Sequence, residues 1–170
     1  AGLVIAGALM MYNSAQVSQR TQQTVSEFEA LRAGVKSVFG NQYPAASNDM
    51  HRILVNTKRY PTTLGVSANN NNYEFTNAFG GTVTVNRDQD PSGATLFYVS
   101  YNNVPREVCI SLLTSLSKSG GWTRYHVDSS SSNTAPSRGT STSIPPTGIT
   151  AGAAESSCSS NLVRVTFWGA

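Results

Sequence analysis

The hydrophobic pattern of this chain changes character within its first 40 residues. Leu3, Val4, Ile5, Ala6, Ala8, Leu9, Met10, Met11 and Tyr12 form an apolar run broken only by Gly7. A helix here is hydrophobic around its whole circumference and seeks lipid or other helices. From Val17 onward the pattern becomes one-sided, with Val17, Thr21, Val25, Phe28, Leu31, Val35, Val38 and Phe39 at three- and four-residue steps. Gln16, Gln19, Arg20, Gln23, Glu27 and Arg32 take most of the other positions. No proline separates the two stretches. The pattern predicts one continuous helix over 1–40, apolar over 1–12 and amphipathic over 13–40. Its second part would lie on a globular domain at 41–170, while its first part would protrude and bury itself in something a single chain does not supply.

Gly40 offers a left-handed cap for that helix, and Asn41, Gln42, Tyr43 and Pro44 do not continue it. Ser47, Asn48 and Asp49 precede Met50, Ile53 and Leu54, which predicts a short second helix over 47–58 capped by those polar residues. The segments 73–76, 82–86 and 94–101 are alternating or rich in β-branched and aromatic residues, and predict an antiparallel meander. Residues 105–118 read as a helix with Pro105 in its first turn and Cys109 on its body. Leu162 to Trp168 alternates as a half-buried strand.

Composition narrows the class. The 170 residues suffice for one domain with a real core. Only 12% are charged, about half the usual share, so the surface is polar but weakly ionic. The net charge of +3 comes from scattered Lys and Arg with no basic run, which argues against nucleic acid as a partner. The two cysteines, Cys109 and Cys158, are not spaced as a metal pair. They are either two separate buried thiols or a disulfide, and an even count in a Ser/Thr/Asn-rich chain favours the disulfide and an oxidising compartment. A bridge would constrain the unfolded chain by about 4 kcal/mol in the loop-entropy picture. It would also tie down residues 128–161, which are too poor in large apolar groups to fold alone.

A signal peptide is a poor account of the start, because no basic residue precedes the apolar run and the first charge is Arg20. The run is also shorter than the roughly 20 apolar residues that span a bilayer. The abrupt beginning leads us to expect that the apolar helix extends upstream of Ala1.

The order of these features resembles that of type IV pilins, and within them the type IVb group of PilS-like subunits of thin or conjugative pili and the toxin-coregulated pilins. The resemblance rests on the helix LVIAGALMMYNSAQVSQRTQQTVSEFEALRAGVKSVF, the FGNQYP turn after it, the VPREVCISLLTSL helix bearing Cys109, and Cys158 shortly before the closing strand. It covers nearly the whole chain. One departure is that the family carries an acidic residue a few positions into a longer apolar tail, whereas the first acidic residue here is Glu27.

The resemblance implies an α+β fold, with a long N-terminal helix packed on an antiparallel sheet and a disulfide-bounded region at 109–158. It implies a helical homopolymer whose N-terminal helices pack at the centre, and so assigns filament assembly to Leu3, Val4, Ile5, Leu9, Met10, Met11, Tyr12, Val17, Val25, Phe28, Leu31, Val35 and Phe39. Expected partners are copies of the chain itself, the assembly machinery of the inner and outer membranes, and a receptor on a host or recipient cell. Before assembly, the membrane would cover the N-terminal helix. The expected location is an extracellular filament used for adhesion, aggregation or conjugative mating-pair formation, and no cofactor is implied.

Catalysis finds little support. In GGWTRYHVDSSSS the residues Tyr125, His126, Asp128 and the serines are close in sequence, but neighbours on a strand point to alternate sides. No G-x-S-x-G elbow, P-loop or H-E-x-x-H is present. His51, beside Arg52 on a predicted helix, is expected to be solvated. Trp122, Tyr125 and His126 form a candidate receptor surface, set against the plainer expectation that the aromatics are core. Two other roles fit the pattern: a membrane-tethered receptor-binding domain, and a minor pilin or pseudopilin of a secretion system.

Overall fold

The computed structural model describes residues 2–45, 48–88, 96–129 and 135–170, with side chains described from Gln16 onward. Helix α1 (Gly2–Phe39) is a single helix about 57 Å long at 1.5 Å per residue. It ends where Gly40 takes φ +60° and its N–H donates to Lys36 O at 3.2 Å. This is the expected glycine cap. Helix α2 (Asp49–Asn56) follows, shorter than expected and without a side-chain cap. Asn48 instead donates from Nδ2 to Asn72 Oδ1 at 3.2 Å, and Ser47 lies outside the described residues.

Among the described residues seven strands form one antiparallel sheet: β1 (Gly65–Asn69), β2 (Asn72–Thr76), β3 (Thr82–Arg87), β4 (Phe97–Pro105), β5 (Trp122–Ser129), β6 (Thr142–Ser143) and β7 (Leu162–Gly169). Their spatial order is β1-β2-β3-β4-β7-β5-β6. The meander β2-β3-β4 matches the sequence reading, whereas β1, β5, β6 and the insertion of β7 between β4 and β5 go beyond it. Positions 94 and 95, expected in β4, lie outside the described residues. Between β1 and β2, Asn70 and Asn71 have φ of 51° and 67°, the left-handed pair of a tight hairpin turn that asparagine tolerates.

Period-two alternation sends Val83, Val85, Val99, Tyr101, Val165 and Phe167 to one face, where they meet Phe28, Leu31 and Val35 of α1 in the main core. Helices α3 (Arg106–Leu116) and α4 (Ala151–Ser157) flank that core. The other face carries Ser100, Thr166 and Arg164, and they too are buried. Segment 135–143 is tied to that side: Arg138 pairs with Asp88 at 2.8 Å, and Arg124 donates to Ser143 Oγ at 2.8 Å and Ser141 O at 2.7 Å.

The polar stretch 128–161 is therefore not one unstructured loop, as its composition suggested. It contains β6, a 3-10 turn at Arg138–Thr140 and α4. Thr150 Oγ1 caps α4 by accepting from Ala153 N at 3.2 Å, and Cys158, just after α4, is bonded to Cys109 on α3. Arg106 reinforces this clip by donating from Nε to Cys158 O at 2.8 Å. A covalent link and a cap supply what the segment lacks in apolar mass.

Candidate functional site

The site the sequence singled out is α1, and the structure shows how its second half is held. Phe28 is fully buried, stacked on Tyr101 at 4.4 Å and edge-on to Phe167 at 5.6 Å and Trp122 at 5.9 Å. Burying Phe28, Leu31 and Val35 contributes about 1.5–3 kcal/mol each. A buried carboxylate sits beside this ring. Glu27 accepts from Thr63 Oγ1 at 2.6 Å and from the Tyr101 hydroxyl at 3.1 Å, so α1 is joined to β4 and to the loop before β1. Burial first, and then the adjacent Glu27 charge, holds the Tyr101 phenol well above its ordinary pKa of 10.

Further along α1, Arg32 Nε donates to Gly121 O at 2.9 Å, and Trp122 Nε1 donates to Glu29 Oε1 at 3.3 Å. Gly34 permits a closer approach than any other residue would: a Cβ there would lie 2.3 Å from Arg59 O. Arg20 stands over the Phe79 ring at 5.9 Å.

This geometry corrects part of the expected assembly set. Phe28, Leu31 and Val35 have no exposed surface, so they anchor α1 within its own chain and offer nothing directly to a second copy. Val17, Val25 and Phe39 are partly buried against the same core and keep some surface. The side chains of Leu3, Val4, Ile5, Leu9, Met10, Met11 and Tyr12 lie outside the described residues. The exposed face of α1 has a pattern that sequence reading missed: Ser18, Gln22, Ser26, Ala30, Ala33 and Ser37 follow one another at three- and four-residue steps and are mostly small. The apolar periodicity that drew attention to this helix belongs to its buried side.

The candidate receptor surface also changes. Trp122 and Tyr125 are 5% and 7% exposed, with both rings against Phe167. They are core residues because a strand beside β7 must turn its large apolar side chains toward α1. His126 retains partial exposure. His51, expected to be solvated, is buried and hydrogen-bonded through both ring nitrogens, because α2 packs its inner face into the sheet. Among the described residues no His, Cys, Asp and Glu cluster has the makings of a metal site, and no helix is long and apolar enough to cross a membrane.

Comparison with known proteins agrees with this architecture. Residues 18–168 match the family described as PilS N terminal. The chain belongs to that family. It is 28% identical over 160 residues to the major structural subunit of bundle-forming pilus from Escherichia coli O111:H-, spanning 93% of this chain and 80% of that protein. The crystal structure of a type IVb pilin from Salmonella typhi is similar with a TM-score of 0.64 at 20% identity, over 84% of this chain and 95% of that one. TcpA, a type IV pilin from Vibrio cholerae El Tor biotype, gives 0.59 at 12% identity, over 89% and 99%. The fold is that of a type IV pilin: α+β, with a long N-terminal helix on an antiparallel sheet and the Cys109–Cys158 bridge.

Proposed function

We propose that this chain is the major structural subunit of a type IVb pilus, polymerising through α1 into an extracellular filament. The observation that carries the reading is the division of labour along one helix. The described core engages α1 from Val17 onward, while the helix continues back to Gly2 through a segment that is apolar all round in sequence. A face of small residues on a helix permits close packing against another helix, and a head-to-tail contact that does not close on itself generates an open helical polymer. The seven large apolar side chains at 1–12, each worth about 1.5–3 kcal/mol when buried, supply the drive before entropy is charged against it.

In this reading the inner membrane covers the apolar segment before assembly, and membrane-bound machinery delivers the subunit to the filament. The role is structural, with adhesion, aggregation or conjugative mating-pair formation as the task of the assembled pilus. Of Trp122, Tyr125 and His126, it is His126 that keeps surface to face a receptor.

Immunogold electron microscopy of filaments sheared from the cell surface, with antibody raised against residues 128–161, tests the proposal. Continuous label along thin filaments is the expected result. Label confined to the envelope or to filament tips would overturn it in favour of a tethered binding domain or a minor subunit.

A further inference from the structure

The ladder between β2 and β3 stops early, and a side chain continues it. Asn77 N–H donates to Gly81 O at 2.9 Å, and Phe75 stands opposite Val83. Hydrogen-bonded pairs recur every second residue in an antiparallel ladder, so the next rung due is Tyr73 with Val85. These two residues are not ladder partners. Between them stands the imidazole of His51, from α2. Val85 N–H donates to Nε2 at 2.9 Å, and the ring nitrogen Nδ1 lies 2.8 Å from Tyr73 O.

The chemistry of the two backbone groups decides the form of the ring. An amide N–H only donates and a carbonyl oxygen only accepts, so the imidazole must be neutral with its proton on Nδ1. In that state it relays the missing rung, Val85 N–H to Nε2 and Nδ1–H to Tyr73 O. The ring is buried against Phe75 at 4.7 Å between centroids. A second proton must go to Nε2, where it would face the Val85 N–H head-on and remove the acceptor.

We propose that His51 is a proton-sensitive wedge: neutral, it seats α2 in the β2–β3 seam, and charged, it leaves the seam and lets Tyr73 and Val85 pair directly. The charged and titratable groups around it are few. Glu74 on β2 favours the proton, Asp49 and Arg52 on α2 are paired with each other at 2.9 Å, and Tyr73 on β2 lines the adjoining cleft. Across the adjoining cleft of about 340 Å³ stand Tyr98 of β4 and Arg164 of β7, the latter paired with Asp128 of β5. Burial outweighs Glu74 and the Tyr73 carbonyl and pushes the His51 pKa below its ordinary 6.5. The wedge therefore stays in place through neutral pH and yields in acid. The consequence falls on the β1–β2 hairpin, whose first strand is exposed at all five positions.

The test is nitrogen NMR of the chain carrying His126→Gln, in which His51 is the sole imidazole of the original two. The expected result at neutral pH is a Nδ1–H tautomer with scalar coupling between Val85 N and His51 Nε2. On acidification that coupling should vanish as the ring titrates, and a cross-strand contact between Tyr73 and Val85 should appear. Protection of the α2 amides should fall by up to about tenfold per pH unit as pH drops below the ordinary 6.5 of a released imidazole toward the lower pKa of the seated ring. Two results would overturn the proposal: a ring that takes its proton only as the whole chain unfolds, or an equal acid loss of α2 protection in His51→Gln. If that variant does not fold, the titration of the His51 ring decides alone.

Discussion

Tyr101 donates its buried hydroxyl to Glu27 at 3.1 Å, which fastens the middle of the long helix to a central strand of the sheet. The contact links two parts of the chain 74 residues apart. It also places a carboxylate deep in an aromatic core, where its cost is offset only by the donors that surround it.

Removing one of those donors should therefore be felt. Tyr101→Phe is expected to lower stability by about 1–3 kcal/mol, since the ring packing stays and the carboxylate loses a partner. Urea unfolding of Tyr101→Phe, Thr63→Ala and the double variant measures how far the two donors act as one unit.

Alkaline pH should weaken the fold through the same residue. The folded chain holds the Tyr101 proton well above 10, while the unfolded chain releases it near 10. The folded state therefore binds more protons as pH rises past 10, and stability contributed by this group is full below that point and lost above it. Tyr43 and Tyr98, also raised by burial, add to the slope. Thermal unfolding between pH 8 and 11 should show a decline that Tyr101→Phe makes shallower.

Substitutions on the two sides of α1 should separate folding from assembly. Phe28→Ala empties a fully buried aromatic site and is expected to cost about 3–5 kcal/mol, leaving little folded subunit to polymerise. Ala30→Arg lies on the exposed face, so the unfolding midpoint should barely move while filaments are lost. Calorimetry paired with electron microscopy reads both quantities.

Opening the Cys109–Cys158 bridge should loosen one corner before the whole. Replacing both cysteines by serine is expected to cost about 4 kcal/mol in the loop-entropy picture. Hydrogen exchange should show α4 and residues 158–161 opening first, because α4 has one buried residue, Ala154, and relies on the clip.

The helix α1, its glycine stop, the β2-β3-β4 meander, α3 and the closing strand were all legible in the sequence, because each is written in local periodicity. So was the likelihood of a disulfide, from composition and cysteine number. The fate of individual side chains was not. Phe28, Leu31 and Val35 share a stripe with Val17 and Val25, and nothing in that stripe says which members are consumed by the subunit's own sheet. Trp122 and Tyr125 have the amphipathic character of contact residues and became core because of the strand beside them. His51 is polar on a short helix, and its burial depends on β2 and β3, which lie far from it in sequence. The sequence by itself determined the elements and their chemistry through the periods of helix and strand. Only the tertiary structure decided which faces meet, since that rests on long-range pairing such as β7 entering between β4 and β5, a choice that no local pattern encodes.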